Sequence, residues 1–301
     1  MTPQLYQFLI SSVLSYLLVT IILPQLRSKL LDTPNQRSSH TLPTPRGGGI
    51  AFVIIGTVFN YIFATEAVRW VPLVCLPLAF IGMLDDYKDL PALWRYITQL
   101  VTAIALIYIA KVDVPVWEIP IFMFVITAII NFMNFMDGLD GILAGCSVVL
   151  FAAISSWSIS GAVFGFLIWN WSPSKVFMGD VGSTFIGAVF AGLAFQQPTS
   201  QEILSVLLLG FPLFGDSAIC IIRRLLTRKN IFKAHKQHLY QRLNQAGWSH
   251  SNVALLYVAA VLVLALARSI WGIKMLFILI FAESFLAIIL DSLVARKFTE
   301  S

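Results

Sequence analysis

Three short clusters of carboxylate and amide side chains interrupt an otherwise apolar chain. They are Asp85-Asp86-Tyr87-Lys88-Asp89, the run Asn131, Asn134, Asp137, Asp140 ending at Gly141, and Phe177-Met178-Gly179-Asp180. Carboxylates beside a bilayer are costly, and several together need a cation. An all-oxygen donor set suits a hard divalent ion, Mg²⁺ or Mn²⁺, which would in turn bridge phosphates. On a continuing helix Asp85 and Asp89 share a face while Asp86 is turned by about 100°. Asn131, Asn134 and Asp137 recur every third residue and line one flank of a helix end, and the glycines of Asp137-Gly-Leu-Asp140-Gly141 let backbone approach a bound group. Core packing does not explain four polar side chains near hydrocarbon, because each would demand a partner. Asp180, flanked by Gly179 and Gly182, reads both as a helix N-cap and as part of a phosphate-attracting helix start.

These clusters must be held by membrane helices. The chain has 301 residues, of which 58% are hydrophobic and 12% charged. Apolar runs at about 5–23, 49–65, 70–84, 96–110, 119–135, 141–157, 160–171, 181–197, 203–222, 251–268 and 271–294 predict an all-α, polytopic integral membrane protein with ten or eleven transmembrane helices. The first run has no basic residue before it and no small-residue cleavage pattern after it, and reads as a retained helix. With the N-terminus outside, one face holds sixteen of the twenty lysines and arginines, and only Arg69, Lys111, Arg268 and Lys274 remain on the other. Basic residues are retained on the cytoplasmic side, so the C-terminus, the acidic clusters and His40, His235, His238 and His250 are expected there, with the active site on the cytoplasmic face. The net charge of +5 is accounted for by these loops and argues for anionic lipid or phosphate rather than nucleic acid.

No composition shift divides the sequence, so residues 1–301 read as one domain with loops at about 24–48, 85–95, 136–141, 172–180 and 223–250. The first loop is rich in proline and glycine and ends on Arg46-Gly47-Gly48-Gly49, which reads as a close helix-packing element. It lacks the Lys-Ser or Lys-Thr of an ATP-hydrolysing loop. The last loop is basic, interleaves Ile231, Phe232, Leu239, Tyr240, Leu243 and Trp248, and is expected to form a short amphipathic helix on the membrane surface. Within it His235 and His238 are expected to contact phosphate. Transition-metal binding is the lesser reading, since no cysteine or third histidine is near in sequence. Cys75, Cys146 and Cys220 read as small core residues without disulfide or zinc roles. Asp216, inside an apolar run, is expected to be an internally paired charge.

Together these residues resemble the polyprenyl-phosphate N-acetylhexosamine-1-phosphate transferases, a branch of glycosyl transferase family 4. The resemblance rests on Arg-Gly-Gly-Gly opening the second span, Asp85-Asp86 ending the third, the Asn131–Gly141 motif, Asn170 ten residues before Asp180, and the His235–His238 loop. Arg37-Ser-Ser-His40 followed by Pro43-Thr-Pro-Arg46 is most similar to the O-antigen-initiating branch. The resemblance implies transfer of a sugar 1-phosphate from a UDP-N-acetylhexosamine, such as UDP-GlcNAc or UDP-FucNAc, to polyprenyl phosphate in a bacterial inner membrane, with release of UMP. It implies Mg²⁺ held by Asp180 with Asn134 near it. Asp85 and Asp86 would activate the lipid phosphate, Asp137, a catalytic residue, and Asp140 would be carboxylates of the nucleotide-sugar site, and Asn170, Phe177, Lys88, Arg46, His235 and His238 would contact substrate. A homodimer is compatible with it. His-Lys-Gln-His departs from the consecutive histidines of the muramoyl-pentapeptide enzymes and argues against a peptide-bearing sugar. An intramembrane prenyltransferase, or a transporter of lipid or ions, is the alternative reading.

Overall fold

The computed structural model describes residues 2–34, 39, 42–110, 115–231 and 235–298, leaving Arg37, His40, Lys111, Phe232 and Lys233 outside the described residues. The protein is an all-α polytopic membrane protein. Helix α1 (Pro3–Lys29) is capped by Thr2 and runs through Pro24. Two residue pairs, β1 (Leu31–Asp32) and β2 (Thr44–Pro45), form an antiparallel bridge that leads into α2 (Ile50–Phe63). There follow α3 (Glu66–Arg69), α4 (Val71–Lys88), α5 (Ala92–Ile109), α6 (Ile119–Phe135), α7 (Ile142–Ala153), α8 (Trp157–Asn170), α9 (Asp180–Phe195), α10 (Ser200–Leu209), α11 (Phe211–Leu226), α12 (Leu239–Gln245), α13 (His250–Trp271) and α14 (Ile273–Leu293).

Each expected apolar run falls on a helix, and the run 203–222 falls on two, α10 and α11, bent by 74° at Gly210. Pro212 has no N–H to donate and Gly210 carries no side chain to hold a helical bend closed, so the hydrogen-bond ladder restarts there. Among the described residues five helices are long and apolar enough to cross a membrane, or six with the bent pair taken together. The shorter apolar helices include α9, whose residues 181–195 are all buried. A helix enclosed by others is not matched to hydrocarbon thickness as a lipid-facing one is. In α14, by contrast, only Leu276 is buried, and Phe281, Ile288 and Leu293 lie open on the outer surface. An apolar exterior of this kind belongs in lipid.

Small residues let the helices approach. Gly161 and Gly165 of α8 face α1 so closely that a Cβ on Gly165 would lie 2.1 Å from the carbonyl oxygen of Ser12. Small-residue seams of this spacing bring helix backbones together inside membranes. Gly165→Ala should therefore force α1 and α8 apart and cost about 1–3 kcal/mol. The check is a fall in the thermal midpoint of the detergent-solubilised protein, and an unchanged midpoint would show the seam to be looser than described.

Candidate active site

The C-terminal ends of α4 and α6 meet the N-terminal end of α9, and there the acidic clusters converge. Asp86, in the last turn of α4 beyond the apolar run 70–84, is 5% exposed. Its two oxygens accept the backbone N–H groups of Asp180 (3.1 Å) and Val181 (3.2 Å). The first turn of a helix has N–H groups without intrahelical partners, so Asp86 serves as a cap supplied by another helix. Two glycines make this approach feasible. Gly179 takes φ +75°, and a Cβ on it would sit 2.3 Å from an Asp86 oxygen, while a Cβ on Gly82 would meet the Asp180 carbonyl at 2.6 Å.

Asp180, the first residue of α9, has both oxygens engaged: Oδ1 accepts from Asn134 Nδ2 at 2.9 Å and Oδ2 from Arg95 Nη1 at 2.8 Å. The same Asn134 amide reaches Ser183 Oγ at 2.8 Å. Arg95 also reaches Asp85 Oδ2 at 3.0 Å, and Asp85 Oδ1 accepts the Leu90 N–H at 2.6 Å. Arg95 is therefore a cation set between two carboxylates of different helices. Asp137 lies one turn beyond Asn134, close enough to feel the charges of Asp180, Asp86 and Asp140. Among the described residues its carboxylate receives no hydrogen bond.

Burial of the carboxylates raises Asp86 to about 7, reinforced by the neighbouring Asp180 charge. Asp137 is pushed well above the ordinary carboxylate range by burial and then by Asp180. Burial also raises Asp85, which shares a hydrogen bond with Asp180, despite the opposing pull of Arg95. Like charges gathered in a low-dielectric place hold protons until a cation replaces them. The site accordingly fits a hard divalent ion: oxygen donors from three chain segments, with Asp137 uncommitted.

The remaining expected residues fall into two groups. Asp140 is 9% exposed and accepts from the Ser174 N–H at 3.2 Å, with His250 Nδ1 3.1 Å from the same oxygen. Asn170 uses its amide to join the Gly141 N–H (3.1 Å) to the Val176 carbonyl (3.0 Å), so it braces the loop below the cluster. Phe177 is partly exposed, its main chain paired with Pro45 and Gly48. Lys88 is exposed at the end of α4, and Arg46 stands 3.6 Å from the exposed Asp89.

His235 and His238 stack on each other at 5.1 Å, and His238, 4% exposed, has its ring 6.0 Å from that of Phe135 at the end of α6. The helix expected in the 223–250 segment forms over Leu239–Gln245 and packs against protein. This helix, α12, buries Tyr240, Arg242 and Leu243, because Asp216 of α11 accepts the Leu239 and Tyr240 N–H groups at 2.7 and 3.1 Å. Asp216 also accepts from Tyr257 at 2.7 Å, which completes the internal pairing expected of it. Tyr240 in turn donates to the Phe135 carbonyl at 2.8 Å, tying α12 to the end of α6.

Sequence reasoning passed over Arg95, Ser183 and His250. The usable signal for Arg95 was a lone charge in the first turn of an apolar helix, where a membrane arginine needs a partner.

Residues 69–197 match the family profile described as glycosyl transferase family 4. A probable undecaprenyl-phosphate N-acetylglucosaminyl 1-phosphate transferase of Bacillus subtilis (strain 168) is 30% identical over 287 residues, covering 83% of this chain and 80% of that protein. An undecaprenyl-phosphate alpha-N-acetylglucosaminyl 1-phosphate transferase of Thermotoga maritima is 30% identical over 227 residues, with 72% and 74% covered. A phospho-N-acetylmuramoyl-pentapeptide-transferase of Staphylococcus epidermidis is 27% identical over 303 residues, with 83% and 93% covered. The matched region contains the whole acidic cluster, and the similarity extends over most of the chain: it belongs to glycosyl transferase family 4.

Proposed function

We propose that this protein transfers an N-acetylhexosamine 1-phosphate from a UDP-sugar to polyprenyl phosphate and releases UMP. The observation that carries the reading is the convergence of Asp85, Asp86, Asp137 and Asp180 at one end of a membrane bundle. The names of the relatives support the same reaction class. Asp180, Asp137 and Asn134 would hold Mg²⁺ or Mn²⁺. The ion, when bound, would neutralise diphosphate charge and polarise the phosphorus under attack.

The chain's own groups have separate tasks in this scheme. Asp86 fixes the start of α9 and through it the position of Asp180. Asp85 is the more open member of the pair and orients the prenyl phosphate, taking its remaining proton. A prenyl phosphate oxygen then forms a bond to the sugar-bearing phosphorus as the bond from that phosphorus to the UMP oxygen breaks. Lys88 and Arg46 supply positive charge for the phosphates, Phe177 and Asp140 serve the nucleotide side, and Asn170 steadies the loop that carries them. Phosphoryl transfer needs positioning and charge neutralisation above other aids. We place this site on the cytoplasmic face of a bacterial inner membrane, with the N-terminus outside. The lipid-linked diphosphosugar so formed would begin an O-antigen or related surface polysaccharide.

The test is UMP release by purified protein given polyprenyl phosphate, Mg²⁺ and each of a panel of UDP-N-acetylhexosamines, UDP-GlcNAc and UDP-FucNAc among them. Release with one or more sugars is expected. No release with any of them would favour transport over transfer.

A pH dependence follows from Asp86. Its carboxyl binds a proton more tightly in the folded protein, at about 7, than at its ordinary value of 3.8. The stability this gives the metal-free protein is therefore full below about pH 4 and lost as the pH rises through about 7. A divalent ion requires the ionised cluster, so protection by Mg²⁺ should grow over the same window. Thermal midpoints with and without Mg²⁺ at about pH 5 and pH 8 measure it, and equal Mg²⁺ shifts at both would remove Asp86 from the linkage.

A further inference from the structure

Cys220 of α11 and the histidines at the start of α12 are 15 or more residues apart in sequence, yet Cys220 Sγ and one ring nitrogen each of His235 and His238 lie within 4.8 Å of one another. Cys220 is 3% exposed and His238 4% exposed. His238 Nδ1 is buried without a hydrogen-bond partner, with the nearest Asp216 oxygen at 3.6 Å, beyond hydrogen-bond reach. A buried polar atom left in this condition normally costs stability and calls for an explanation. Asp216 supplies an ion pair to that nitrogen when His238 is protonated, and since it also accepts from Leu239, Tyr240 and Tyr257 it holds the ring in place.

We propose that Cys220, His235 and His238 form a binding site for a zinc-class transition ion, separate from the acidic cluster and independent of the transferase reading. Thiolate sulfur and imidazole nitrogen are both donors that zinc takes, and a tetrahedral ion needs its ligands only a few ångströms apart, as these are. A hard ion such as Mg²⁺ prefers oxygen donors and would not compete well here. On binding, the ion displaces the thiol proton of Cys220 and takes one ring nitrogen of each imidazole, and the protons released go to solvent. The buried Asp216 carboxylate beside His238 Nδ1 then acts as a counter-charge to the ion.

Such an ion would pin the 235–245 segment to α11. Tyr240 carries that constraint to the Phe135 carbonyl, two residues before Asp137. Sequence spacing hides the site, because the cysteine belongs to a membrane helix and the histidines to the loop that folds back over it.

The experiment is elemental analysis of full-length protein purified through a tag without histidines from zinc-supplemented cells, followed by exchange with Co²⁺. About one zinc per chain is expected, together with a thiolate-to-cobalt charge-transfer band in the near ultraviolet and a tetrahedral d–d envelope. Cys220→Ser should remove the charge-transfer band, and His235→Gln, a half-buried and milder change, should lower zinc content at least about tenfold. Metal content of the wild type no higher than that of His235→Gln, or a charge-transfer band that persists in Cys220→Ser, would overturn the site. Because metal is read without substrate, that outcome is distinct from a failure to release UMP.

Discussion

Asp180→Ala abolishes UMP release, by more than about a thousandfold, while the thermal midpoint stays near that of the wild type. The loss should exceed the 10–100-fold typical when a group merely supporting a metal ligand is removed, because here the proposed ligand itself goes. Removal also frees Arg95 from one of its two carboxylates and leaves Asn134 bonded only to Ser183. The fold has little reason to suffer. The Asp180 N–H remains held by Asp86, and deletion of a charge that raises Asp86 relieves repulsion at the start of α9. Activity within tenfold of wild type would exclude a metal role for Asp180, whatever the stability.

Asp86→Ala should damage both activity and stability. It leaves the N–H groups of Asp180 and Val181 buried without an acceptor, at about 1–3 kcal/mol for each unsatisfied donor. The start of α9 is then free to move, and a shift of about 1 Å in a positioned group can cost about a hundredfold in rate. Asp86→Asn keeps one acceptor oxygen and nearly the same shape, so it should restore part of the stability lost in the alanine variant. Differential scanning of both variants beside the UMP assay separates the two effects. Should Asp86→Ala keep the native midpoint, the capping role assigned to this carboxylate is wrong.

Much of this architecture was legible in the sequence because a bilayer imposes a coarse rule. Apolar runs mark helices, and polar residues at their ends stand out. Asp85, Asp86, Asn134, Asp137 and Asp180 could be gathered into one site on that ground. What each does was not legible, since it depends on partners far along the chain. Asp86 caps a helix that begins 94 residues later, and Arg95 bridges to Asp180 across 85 residues. Asn170 was named on the family resemblance alone, and its hydrogen bonds to the Gly141 N–H and the Val176 carbonyl join groups that sequence could not bring together. The anchoring of α12 was not legible either, because the carboxylate that accepts its first N–H groups, Asp216, lies on another helix. Hydropathy averaged over a window also hides the break at Gly210, where one residue and a nearby proline redirect the chain by 74°.

The guanidinium between Asp85 and Asp180 has a consequence for how such a protein is made. A cluster of like charges with no counterion would oppose helix assembly until an ion was captured from solution. Arg95 travels with the polypeptide, so the bundle can close around its acidic centre during biosynthesis, before any ion has been loaded. If the proposed divalent ion is required, its scarcity would leave an idle but intact protein, recovered by resupply rather than by new synthesis.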